Sequence, residues 1–123
     1  MTRLPQDVEV AQPVSGIAVA VFSGEHDLAT RDAVAALLGS LVQENDVVVV
    51  DFSGANLVDA ATLRVVRDTD LVSRERGSSF RLQLGTVPIV ERAFEVSGLL
   101  EQLNWAPTRE EALFGSGHRH ADS

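Results

Sequence analysis

The stretch VVVVDFSGANLVDAATL, residues 47–63, decides the fold. Its opening run of β-branched residues shows no polar alternation, as a strand covered on both faces requires, so 47–52 is read as the middle of a sheet. Residues 53–58 then read as a loop rich in small side chains. Asp59 is suited to cap a helix that runs to about Arg76, with Gly77 as its C-terminal stop. A turn between a buried strand and a helix N-terminus is a natural polar site, yet this one carries Ala60 and Ala61 behind the aspartate.

Working outward, Val8 and Val10 alternate with polar neighbours and IAVAVFS at 17–23 is an apolar run, which predicts a hairpin turned at Gln12-Pro13 and Ser15-Gly16. Asp27 is the expected cap of a helix whose apolar stripe is Val34, Leu37, Leu38, Leu41 and Val42, ending near Glu44-Asn45. SFRLQL at 79–84 alternates as a strand. Pro88, the apolar Ile89, Val90, Ala93 and Phe94, and Gly98 outline a third helix. Thr108-Arg-Glu-Glu has capping-box spacing for a last turn through Phe114, and GSGHRHADS at 115–123 reads as a loose tail. The expected architecture is therefore α/β: one domain over 1–114, a mixed sheet of four to five strands with helices packed against it.

Composition narrows the chemistry. A chain of 123 residues with 45% apolar and 23% charged side chains is sized for one ordinary core. There is no cysteine, and all ten basic residues are arginine. Mechanisms that need a lysine or a thiolate are therefore excluded, from Walker A phosphate binding to Schiff-base formation. A net charge of −8 argues against direct contact with nucleic acid. The N-terminus lacks the basic start and long apolar core of a secretory signal, no apolar run is long enough to span a bilayer, and the expectation is a cytoplasmic protein without a membrane partner.

Several residues invite a chemical role. Asp51, at the end of its strand, has the position of a phosphoacceptor aspartate in a response-regulator receiver, with Glu25 and Asp27 as an acidic pair, but that chemistry also needs a lysine. The simpler role for Asp51 is to accept loop N–H groups in an Asx-turn. His26, His118 and His120 have weak metal-ligand spacing, and neither metal nor cofactor is expected. Ser53, Thr62 and Ser97 have no histidine placed to activate them, and nothing sets Glu25, Asp51 and Asp59 at a catalytic separation, so an enzyme is not expected. The N-terminus of the second helix, behind Asp59, is an anion-friendly surface.

With these elements in place, SGEHDLAT at 23–30, VVVVDFSGANLVDAATL at 47–63 and VERAFEVSGLLEQL at 90–103 together resemble a STAS domain, the fold of bacterial anti-sigma factor antagonists. The family shows a GELDLAT-like start to its first helix, a DLSGVxFIDSSGL-like strand, loop and helix, and a glycine-leucine pair after the third helix. The resemblance implies a protein-binding module in a partner switch. In the family an anti-sigma factor that is also an ATP-dependent kinase phosphorylates a serine in the DSSG turn, and phosphate blocks binding, as added charge at a packed interface should. On that pattern Asp59 matches the turn's aspartate, Ala60 and Ala61 replace the two serines, and Thr62 replaces the glycine. Ala61 stands at the acceptor position and has no hydroxyl.

The resemblance therefore implies binding to a kinase-type anti-sigma factor without a switch at position 61, through Asp27, Asp51, Ser53, Asn56, Asp59, Ala60, Ala61, Thr62 and Leu63. Thr62 is the alternative phosphoacceptor, although one step along a helix turns a side chain by about 100° away from its neighbour. The other reading is a scaffold or regulatory subunit that binds further STAS or sensory proteins, or its own copy as a homodimer.

Overall fold

The computed structural model describes residues 8–26, 30–85 and 88–106. Five strands form one sheet in the order of the chain: β1 Val8–Val14, β2 Ile17–His26, β3 Val47–Val58, β4 Ser79–Gln83 and β5 Asn104–Ala106. The β1–β2 hairpin is antiparallel, and every later pairing is parallel. Parallel neighbours need a crossover, and helices supply them: α1 Arg31–Glu44, α2 Ala60–Arg76, and α3 Pro88–Val96 followed by a short 3-10 turn, Leu99–Glu101.

The valine run behaves as its composition requires. Val48 and Val50 join the main core with Val34, Leu38, Val66 and Phe94 from the helices, while Val49 packs with Val19 and Ala106 on the opposite face of the sheet. The α1 stripe Val34, Leu37, Leu38, Leu41 and Val42 is buried as its spacing predicts. Phe22, Phe52 and Phe94 form an aromatic column with centroids 4.6 and 5.3 Å apart, tying β2, β3 and α3 together. Gly77 closes α2 in the left-handed conformation at φ 75°, its N–H donating to the Arg74 carbonyl, as a C-terminal glycine should.

The structure departs from the sequence reading in four places. The expected loop 53–58 is strand: β3 continues to Val58 because β2 continues to His26, and the two stay paired from Val21–Asp51 to His26–Val58 across two register irregularities. Helix α1 begins at Arg31 with Thr30 in the cap position, so Asp27 is not its cap. The 3-10 turn and β5 were not foreseen; at three residues each they are too short for periodicity to register. The capping-box turn at 108–114 and the tail lie outside the described residues. Among the described residues no helix is long and apolar enough to cross a membrane.

Candidate functional site

The site is built where β2 and β3 run on together past the body of the sheet and the chain turns into α2. Five hydrogen bonds hold it. The Asp51 carboxylate accepts the Ser53 N–H at 2.8 Å and the Ser53 hydroxyl at 2.6 Å, an Asx-turn within β3 at the point where its pairing with β4 ends. The Asp59 N–H donates to the His26 carbonyl at 3.1 Å, clamping the turn to the end of β2. The Asp59 side chain accepts the Thr62 N–H at 3.1 Å, and its carbonyl accepts from Leu63 as the first bond of the helix, so α2 starts on a side-chain N-cap.

His26 supports this clamp from below. Its ring is fully buried, set edge-on to Phe22 at 4.9 Å between centroids, with Nε2 2.9 Å from the Ser23 carbonyl. A carbonyl can only accept, so Nε2 carries the proton there. On this geometry His26 is a structural post for the turn. Gly85 supports the opposite side. It sits at φ 66°, and a Cβ built on it would fall 2.6 Å from the Ser53 Cβ, so the loop after β4 lies directly against the Asx-turn. Gly54 is tight as well: its Cβ would meet the Phe22 carbonyl at 3.3 Å.

This framework sorts the residues proposed from sequence. Asn56 and Ala60 are exposed, and Ser53, Asp59 and Ala61 are half-buried at the same end of the molecule. Asp51, at 3% exposure, and Leu63, at 8%, lie beneath that surface and shape it. Thr62 is fully buried, its hydroxyl without a hydrogen-bond partner, so it does not present the acceptor oxygen that the sequence reading offered as an alternative. Asp27 lies outside the described residues. Ala55, in the stretch read from sequence as a loop of small side chains, is core because it lies on the inward side of β3. Leu57 was overlooked: it is 41% exposed on the outward side of β3, beside Asn56. Strict alternation would set Leu57 inward with Ala55, so the sequence carries no signal for it; the register irregularity opposite Gly24 and Glu25 is what leaves both Asn56 and Leu57 outward before Val58 turns in again.

Beyond Ala60, the surface continues into a groove of about 220 Å³ between α2 and the 3-10 turn, lined by Leu63, Arg64, Arg67, Leu99 and Gln102 among others. Its far wall is tied back to α2 by Arg74, which pairs with Asp70 at 3.0 Å and donates to the Gln102 carbonyl. Burial raises the Asp70 carboxyl above its ordinary range, and the Arg74 charge partly offsets that rise. No group of three or more metal-ligating side chains occurs among the described residues.

A profile of the STAS domain matches residues 9–112. The chain belongs to the STAS domain family. Solved structures share its architecture: an anti-sigma factor antagonist from Mycobacterium paratuberculosis superposes with a TM-score of 0.77 at 22% identity, over 92% of this chain and 97% of that one. The anti-sigma factor antagonist SpoIIAA in its unphosphorylated form gives 0.74 at 18% identity, over 89% and 95%. The phosphorylated form of SpoIIAA, a Bacillus cell fate determinant, gives 0.66 at 18% identity, over 89% and 98%. No curated protein sequence matches the chain. At such identities the likeness is one of fold, and the fold is that of an anti-sigma factor antagonist-like STAS domain. Within this STAS domain the β3–α2 turn keeps an aspartate cap, an Asx-turn beneath it and an exposed first helical residue, with alanine at positions 60 and 61.

Proposed function

We propose that this STAS domain is a non-enzymatic binding module that engages a kinase-type anti-sigma factor in partner switching, through the β3–α2 turn and the start of α2. The observation that carries the reading is the turn itself: a hydrogen-bonded, capped strand-to-helix junction that exposes Asn56, Leu57 and Ala60 and has no accessible hydroxyl at 60, 61 or 62. An added phosphate would bring nearly two charges beside Asp59 and weaken a packed interface. With alanine at 61 and a buried threonine at 62, that means of release is missing, and the domain acts as an antagonist that the partner's kinase activity does not switch off at this turn. Asp51, Thr62 and Leu63 serve as supports of the surface, and Asp27 is assigned to its rim on the family pattern.

The test is reconstitution. The purified protein is mixed with each kinase-type anti-sigma factor encoded by its source organism, with ADP or ATP, and complexes are followed by size exclusion and intact mass. The reading expects one stable complex that persists in ATP without gain of a phosphate. Failure of every such factor to bind, with recovery of other STAS proteins or self-association instead, would replace it by the scaffold reading.

A further inference from the structure

We propose that the groove between α2 and the 3-10 turn receives an acidic, apolar-flanked segment of the protein partner, with Arg64 and Arg67 as its carboxylate-binding groups. The inference rests on the reading above that this end of the molecule is the docking surface, and it assigns the partner's chemistry at that surface. Ala60, Leu63, Arg64 and Arg67 follow the i, i+3, i+4, i+7 spacing and so share one stripe of α2. Leu99 and Gln102 face them across the groove, and the stripe begins at Ala60, which also belongs to the exposed turn. The groove is thus a continuation of the surface already described.

Charge selects the occupant. The chain carries a net −8, yet the residues lining this groove include two guanidinium groups and no carboxylate. Arg64 forms no ion pair among the described residues, and Arg67 has only an exposed contact with Asp68 at 3.4 Å. An exposed pair of that kind competes weakly with an incoming ligand. Planar guanidinium groups bind carboxylates in a fork, which fits an Asp or Glu side chain. The floor, Leu63 and Leu99, is apolar and nearly buried, so an aliphatic side chain next to the carboxylate has a complementary surface.

Volume and rigidity agree. About 220 Å³ is below the roughly 300–1,000 Å³ of a typical small-molecule pocket and suits one or two side chains. The far wall is fixed before binding: the Ser97 hydroxyl donates to the Phe94 carbonyl at 2.9 Å and accepts from the Leu99 N–H at 3.4 Å, and Arg74 holds the Gln102 carbonyl.

The test uses the full-length protein, isotope-labelled for NMR, titrated with the peptide acetyl-Leu-Glu-Glu-Leu-Glu-Glu-amide, with its glutamine counterpart, and with inorganic phosphate alone. The proposal expects saturable shifts at Ala60, Leu63, Arg64 and Leu99 with the acidic peptide. It expects binding about tenfold weaker for the glutamine peptide and for the Arg64→Gln/Arg67→Gln variant, as the loss of two solvent-screened charge contacts should give. Arg76→Gln, at the far end of α2, should bind as wild type. No saturable response, equal response to both peptides, an unaffected double variant, or phosphate alone saturating the same residues as tightly as the peptide would each overturn it. The two readings fail separately: an anti-sigma factor complex indifferent to the double variant removes the groove and leaves the antagonist, whereas saturable peptide binding with no anti-sigma factor complex keeps the groove and removes the antagonist.

Discussion

Replacing Gly85 by alanine should unsettle the candidate site from behind its Asx-turn. Two costs add. Residue 85 has φ 66°, where a Cβ-bearing residue is disfavoured by roughly 1–2 kcal/mol. The new methyl would also lie 2.6 Å from the Ser53 Cβ and 3.2 Å from the Ser53 Cα, contacts that only a backbone shift relieves. Overpacking of that kind costs about 1–3 kcal/mol, so the total destabilisation should be about 2–5 kcal/mol. Because Ser53 is the residue that closes the Asx-turn on Asp51, the shift is transmitted to the turn itself. Urea unfolding of wild type, Gly85→Ala, Ser53→Gly and the double variant separates the costs as a thermodynamic cycle. Removing the Ser53 Cβ relieves the closest contact but not the backbone conformation, so the double variant should be about 1 kcal/mol or more better than the sum of the singles. A Gly85→Ala protein within about 0.5 kcal/mol of wild type, the range of an ordinary surface change, would refute the packing argument. So would strict additivity.

Other consequences follow from the same geometry. Thr62→Val removes a buried hydroxyl without a partner and should raise stability by about 1 kcal/mol in thermal or urea unfolding; a loss would mean the hydroxyl is satisfied. Asp59→Ala should cost about 1 kcal/mol through the lost cap, while Asp59→Asn keeps the acceptor and should unfold like wild type, so any loss of partner binding in the asparagine variant reports the charge alone. The folded Asp70 carboxyl binds its proton more tightly than the unfolded one, so its contribution to stability is fully present below the unfolded pKa and is lost as pH rises through the raised folded value. Asp70→Asn should flatten that part of the stability curve, and an unchanged slope in acid titrations followed by circular dichroism would count against the shift.

What the sequence could and could not reveal has physical causes. The VVVV run and the α1 stripe fixed strand and helix because their burial is periodic or continuous over many residues, a signal set by the core alone. The extension of β3 to Val58 was hidden because Ser53, Gly54 and Asn56 are turn formers by local preference, and only pairing with the end of β2 holds them extended. Gly85 looked like any loop glycine; its importance arises from Ser53, more than thirty positions earlier in the chain. Thr62 was legible as a helix residue but not as a buried one, because the side of α2 that meets the sheet is set by the angle at which the chain leaves Asp59. The groove was invisible in sequence for a similar reason: Arg64 and Arg67 become a site only when the unforeseen 3-10 turn brings Leu99 and Gln102 opposite them.

Binding of a kinase-type anti-sigma factor by the turn, without a phosphate switch, is open to direct measurement. Incubation of the protein with its anti-sigma factor and ATP, followed by intact-mass analysis and size exclusion of the same sample, tests both parts at once. The complex should stay undissociated, with this chain at its unmodified mass. A chain that gains one phosphate, loses it again in Thr62→Ala, and dissociates on modification would instead make Thr62 the switch.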